Sequence, residues 1–327
     1  MKKVSLLLLL SGLVFSQVSI KQVNYKGWYH SIQLERGDTK LVIVPGVGGR
    51  IMEFSIEGKN PIWQNPLEYG KVYPITNVWH NYGGYKTWNA PQALWGWPPD
   101  PFLDYGKANV ELLEDGVRIY GAPSLNAGIM FIKEITLPER GKARIVERMR
   151  NISGREVRWS IWDVTQVETP CFVVFPSERN SKFPEGLYFF DERSRKSKQW
   201  KIKDGLVIVH YEGEVGKIGL DSKAGWMLFL KDSLAYIKRF PVITGQDYPD
   251  EGCSVEVYTN SKDLPYLEME VLSPLVTLKP GEEYSTWEEW YVKILSRPVR
   301  EEGDIPSAIR ELVLAGMLPW DALKFVH

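Results

Sequence analysis

KLVIVPGVGGRIMEFSI, residues 40–56, carries the two signals from which the architecture is read. Lys40 to Val44 is a short, mostly apolar run, and Pro45 to Gly49 is a glycine-rich break. Beyond it Arg50, Met52, Phe54 and Ile56 alternate with Ile51, Glu53 and Ser55. Successive strand side chains point to opposite faces, so a period of two predicts a strand, a glycine turn and a second strand. The glycines do not make a phosphate loop. Gly46, Gly48 and Gly49 lack the dinucleotide spacing, and no helical pattern follows them.

The same alternation recurs along the chain. Strands are expected at Val110–Leu113, Gly116–Tyr120, Ile129–Leu137, Ala143–Arg150, Glu156–Val164, Gly186–Phe190 and Leu206–Tyr211. Others are expected at Ala224–Leu230, Leu234–Phe240, Cys253–Thr259, Tyr266–Leu272 and Thr286–Ile294. Asn151-Ile-Ser-Gly154 reads as a hairpin turn, and Leu278-Lys-Pro-Gly281 as another. Many short strands separated by turn signals predict an antiparallel sandwich or barrel. A helix is expected only at Ser307–Leu318, where Ile309, Leu312 and Val313 form an apolar stripe and Pro319 stops the run.

With 40 Lys+Arg against 41 Asp+Glu, the 327-residue chain has no net field to attract nucleic acid or an anionic membrane. Residues 1–16 read as an export signal: Lys2 and Lys3, an apolar run from Leu6 to Phe15, then a small-residue site before Gln17. That run is too short to span a bilayer, so no transmembrane segment is expected after its removal, and the mature protein is expected in the periplasm or outside the cell. Cys171 and Cys253 either pair there or stay as two buried thiols. Residues 17–296 show no linker and form one expected β domain, with 297–327 as a helical tail.

Two stretches carry the candidate chemistry. Trp79–Gly106, WHNYGGYKTWNAPQALWGWPPDPFLDYG, holds Trp79, Trp88, Trp95 and Trp97 among glycines and four prolines. It lacks both periods and reads as a stiff, irregular loop. Aromatic faces beside His80 and Lys86 suit a sugar, whose C–H face is apolar and whose rim is polar; the alternative is a Trp plug for the end of a sandwich. In Tyr266–Pro274, YLEMEVLSP, Leu267, Met269 and Val271 belong to one face, and Tyr266, Glu268 and Glu270 to the other. Two carboxylates about 6.5–7 Å apart on one strand raise one another's pKa and suit a general base. They also read as plain solvent-facing glutamates.

Arg50, after the glycine turn, offers forked donors for hydroxyls or a carboxylate, or a structural ion pair. His80 is the candidate acid within the aromatic loop, and His30, His210 and His327 are scattered. No paired His or Cys spacing predicts a metal site, and no GxSxG elbow is present.

LVIVPGVGGRIMEFSIEGKNPIW (41–63) resembles the opening hairpin of galactose-mutarotase-like domains, the aldose 1-epimerase superfamily. NYGGYKTWNAPQ (81–92), WPPDPFLDYG (97–106), NISGREVRWSIWDVTQV (151–167), KIGL (217–220), YPDEGCSVEVYTN (248–260) and EMEVLSPLVTLKPGEEYSTWEEWYV (268–292) resemble one bacterial branch of it, a domain of unknown function. The resemblance covers about residues 20 to 295. It implies an all-β, antiparallel supersandwich with a short C-terminal helix.

It also implies a glutamate that takes the anomeric proton while a histidine protonates the ring oxygen, without a cofactor. Glu270, or else Glu268, matches that base. Trp159-Ser-Ile-Trp162-Asp163 stands where a strand histidine is usual, leaving His80, Asp163 or Lys86 as proton donors. The expected function is recognition of a mono- or oligosaccharide, with epimerase-type isomerisation of a sugar or uronic acid. Arg50, Lys86 and Tyr266 would hold the substrate, and Trp88, Trp95 and Trp97 would stack on it. A non-catalytic carbohydrate-binding or envelope-associated module is the alternative, and a polysaccharide lyase or hydrolase the second.

Overall fold

The computed structural model describes residues 17–326; the expected export signal, residues 1–16, lies outside the described residues, as does His327. Two antiparallel sheets face each other. The larger has eleven strands. Ten of them run in the order Ser19–Tyr25, Trp28–Arg36, Thr39–Val44, Arg50–Ile56, Tyr85–Ala90, Val157–Val167, Leu267–Leu272, Val255–Thr259, Gly216–Leu220 and Tyr188–Phe189, and Val276–Leu278 pairs with the Val157–Val167 strand. The nine-stranded sheet centres on Trp226–Arg239, Glu283–Val299 and Lys142–Asn151.

Alternation explains the packing. Leu267, Met269 and Val271 join Ile51, Phe54, Val255 and Val257 in the main core between the sheets. The side chains between them in sequence project from the opposite face of the large sheet. The helix Ile305–Leu314 buries Ile309, Leu312 and Val313 in a second core on the outer face of the nine-stranded sheet, against Phe172, Leu228 and Tyr291. This is the stripe expected from sequence.

Three expectations change. Trp79–Gly106 is not one irregular loop: Tyr85–Ala90 is a central strand, pairing with Val157–Val167 over six residues, and Pro101–Tyr105 is a single helical turn. Every residue of that strand is buried, so both faces carry buried side chains and no apolar–polar alternation marks it. Asn151–Gly154 is not a hairpin turn. The Lys142–Asn151 strand belongs to the nine-stranded sheet and Val157–Val167 to the other, so the link arches between layers. The two strands expected at Ala224–Leu230 and Leu234–Phe240 are one, Trp226–Arg239, with a register shift at Asp232, whose φ is +52°.

The interior also holds charge. Tyr85 donates its hydroxyl at 2.7 Å to Glu147 and lies 2.9 Å from Asp163, and Thr87 contacts the same two carboxyls. Lys133 pairs with Glu147 at 3.3 Å and Lys238 with Glu288 at 3.1 Å. Burial, then the neighbouring Glu147, raises Asp163 well above the carboxylate range, so it is the neutral partner. Asp163 therefore faces the inter-sheet core and not the opposite face, which removes it as the expected proton donor. Cys171 and Cys253 are two free, buried thiols. Among the described residues no helix is long and apolar enough to cross a membrane.

Candidate functional site

The outer face of the large sheet is floored by tryptophan. Trp88 and Trp162 are directly opposed across neighbouring strands, their rings 5.3 Å apart at 73°. Trp95, from the segment after Pro91, closes on both at 6.3 and 6.4 Å, and its Nε1 donates to the Asn89 carbonyl at 2.8 Å. Trp97 lies 6.5 Å from Trp88 and 4.9 Å from Trp79, with 57% of its surface exposed.

One register row places the charges beside these rings. Lys86 pairs with Val164, Val164 with Glu270, Glu270 with Glu256, and Glu256 with Gly219. Lys86 Nζ reaches Glu268 Oε1 at 2.8 Å, and Gln166 Nε2 donates to the same oxygen at 2.9 Å. Trp162 Nε1 donates to Glu270 Oε2 at 2.7 Å. Lys217 Nζ lies 3.0 Å from Glu270 Oε2 and 2.5 Å from Glu256 Oε2. Each ammonium also covers an indole, Lys86 over Trp88 at 4.7 Å and Lys217 over Trp162 at 4.5 Å.

The electrostatics follow from burial. Glu270 is wholly inaccessible; burial raises its pKa, Lys217 pulls it down and Glu268 pushes it up. Burial, joined by Glu270 and Asp250, lifts Glu256 well above the carboxylate range against the pull of Lys217. Burial pulls Lys217 down, but Glu256 and Glu270 outweigh it and hold the ammonium charged. Burial lowers Lys86, with Glu268 opposing.

The structure thus brings Glu268, Glu270, Lys86, Trp88, Trp95 and Trp97 to one face. Tyr266 lies on it too, 4.9 Å from Trp63 and 6.1 Å from Tyr258. Arg50 lies beside this site, but its guanidinium is already committed. Its Nη2 meets Asp104 at 2.5 Å and its Nη1 donates to the Gly83 carbonyl at 3.0 Å, so it locks the Pro101–Tyr105 turn to the sheet. The same Asp104 oxygen accepts from Trp88 Nε1 at 2.8 Å. Gly48, at φ +78°, permits this closure, because a Cβ there would collide with the Asp104 carbonyl. His80 stacks on Tyr73 at 3.7 Å and meets Tyr105 edge-on at 5.7 Å, among tyrosines. Among the described residues no cluster of His, Cys, Asp or Glu is arranged to hold a metal.

Sequence reasoning passed over Lys217, Glu256 and Asp104. Glu256 was accessible to it: Val255 and Val257 face the core, so the residue between them faces the other side of the large sheet by the rule that placed Glu268.

The profile of a domain of unknown function, DUF4380, matches residues 29–293. The chain belongs to this family. The sequence matches no curated protein. Among solved structures, the chain is similar to a candidate aldose 1-epimerase from Klebsiella pneumoniae at TM-score 0.58 and 12% identity, over 91% of this chain and 87% of that one. A galactose mutarotase-like protein from Lactobacillus casei gives 0.54 at 9% identity, over 80% and 100%. Another from Clostridium acetobutylicum gives 0.53 at 13%, over 85% and 99%. At such identities the likeness concerns the fold, which is the galactose-mutarotase-like β-sandwich.

Proposed function

We propose that this protein binds a carbohydrate on the tryptophan-floored face of its large sheet and interconverts the anomers of the bound sugar. One observation carries the reading: Glu270 stands beside indole faces, its carboxylate held between Trp162 Nε1 and Lys217 Nζ at 2.7 and 3.0 Å. Indoles offer a surface for the C–H face of a pyranose, and a buried carboxylate with a raised pKa is a base tuned toward neutral pH. Glu270 takes the anomeric hydroxyl proton, the ring opens to the carbonyl form, and reclosure on the other face inverts the anomer. Lys86 and Lys217 each balance a carboxylate of the site, Glu268 and Glu270. No cofactor enters this reaction. The leader-like residues 1–16 support an exported protein that meets its sugar outside the cytoplasm.

NMR exchange spectroscopy on α-glucose, α-galactose and uronic acids tests the proposal. Accelerated anomer exchange, lost in Glu270→Gln with sugar binding retained, supports it. Binding without exchange in the wild type would instead make the protein a non-catalytic carbohydrate-binding module.

A further inference from the structure

His80 lies among tyrosines, Asp163 faces the inter-sheet core and Lys86 Nζ is committed to Glu268 at 2.8 Å, so the isomerisation above needs another acid. Around Lys217 the outer face of the large sheet gathers more carboxyls than one ammonium balances. Glu256 and Glu270 are register partners on adjacent strands, both fully buried, and both reach Lys217 Nζ. The charges of Glu270 and Asp250 both act on Glu256. Asp250 is half-buried in the Asp250–Gly252 turn, where three successive residues have φ between +50° and +93°. Fully ionised, Asp250, Glu256, Glu270 and Lys217 would leave two uncompensated negative charges in and beside a buried site. Removing charge from water costs several kcal/mol per ion, so the cluster instead retains a proton.

Hydrogen-bond accounting locates that proton. Glu256 Oε1 and Glu270 Oε1 are buried and meet no N–H or hydroxyl donor. Two carboxyls side by side satisfy such oxygens only if one of them is the O–H donor. Lys217 and Trp162 both donate to Glu270 Oε2, which favours the ionised form on Glu270. Neither Glu256 oxygen accepts a hydrogen bond; Glu256 has only its ion-pair contact with Lys217, next to Asp250 and the Cys253 thiol, so the proton rests on Glu256.

We infer that Glu256 and Glu270 are a one-proton dyad in which Glu256 is the general acid. This rests on the isomerase reading and completes it. Glu270 takes the proton of the anomeric hydroxyl and Glu256 gives its own to the ring oxygen. The C1–O5 bond breaks with its electron pair going to the oxygen, and a C1 carbonyl forms. Rotation about C1–C2 and the reverse transfers close the other anomer and restore both carboxyls. Lys217 keeps its proton throughout and holds the two acids together. The dyad works only with one proton aboard, so the rate falls at low pH, where both are protonated, and at high pH, where both are ionised.

Glu256→Gln tests this, because the amide keeps the shape and neutrality of a protonated carboxyl but has no proton to give. The expected result is a loss of kcat of about 10²–10⁴-fold with KM little changed. The alkaline limb of the pH profile should also vanish. Infrared difference spectra of wild type minus Glu256→Gln at pH 7 should show the carbonyl band of a protonated carboxylic acid. If the variant does not fold, the pH titration of that band in Asp163→Asn, which lacks the other protonated carboxyl, serves instead. Undiminished exchange in Glu256→Gln, or a difference spectrum with only carboxylate bands, overturns the inference and leaves the isomerase reading standing. No exchange by the wild type on any sugar overturns the isomerase reading and the acid role together.

Discussion

Lys86 Nζ donates to Glu268 Oε1 at 2.8 Å, joining residues 182 positions apart in the chain. The contact spans the intervening Val157–Val167 strand, and both side chains are almost fully removed from water. Breaking such a pair strands one charge, whereas replacing both partners does not. Lys86→Met should destabilise the protein by about 3–5 kcal/mol, and adding Glu268→Met should recover most of that loss. Midpoints of urea denaturation for the single and double variants check this. A double variant no more stable than Lys86→Met would mean the pair is not the dominant interaction there.

The inter-sheet cluster makes a pH prediction of definite sign. Asp163 titrates above its unfolded value, so the folded state binds the extra proton. Its contribution is complete below the unfolded pKa of about 3.9 and fades as pH rises through the raised folded value. Asp163→Asn keeps a neutral group beside Glu147, Tyr85 and Thr87. Its melting temperature should match the wild type at about pH 4 and below, exceed it increasingly as pH rises, and level off above the raised folded value. Thermal melts across the pH range decide, and parallel curves for the two proteins would refute the assignment.

The indoles should divide by burial. Trp88 is core to the cleft, with only 4% of its surface exposed, and Trp88→Ala should cost about 3–5 kcal/mol. Trp97 is mostly in solvent, so Trp97→Ala should change stability by about 0.5 kcal/mol or less. If Trp97 rims the sugar site, the same change should weaken sugar binding several-fold by calorimetry. Unchanged affinity would confine Trp97 to the outer surface.

Burial pushes the thiols of Cys171 and Cys253 far above the usual range, which suppresses the reactive thiolate. The native protein should therefore resist alkylation for hours. Two thiols should label once it is unfolded without reductant, as counted by mass spectrometry. A pair that labels only after reduction would place a disulfide between these positions.

Where the sequence was legible, a single-sided strand made it so. Leu267, Met269 and Val271 against Glu268 and Glu270 announced their strand and both its faces. Tyr85–Ala90 hid in plain sight because Tyr85 and Thr87 serve the buried ionic cluster while Lys86 and Trp88 serve the cleft. Polar residues with buried work on both faces erase the alternation that marks a strand. Asp163 misled for the same reason, since its partners Glu147 and Tyr85 come from distant strands. Lys217 and Glu256 matter through register across three neighbouring strands, and register is not written in the spacing of any one of them.

Glu270 has no contact with solvent in this conformation, and neighbouring indoles and ammonium groups already cover Trp88 and Trp162. A saccharide arriving here fills no void; it must evict resident side chains and take over their contacts. Apparent affinity is then the intrinsic affinity discounted by how seldom the cleft stands open. Ligand surveys run at dilute sugar would pass this protein over, and saturating concentrations are where its partner should be sought.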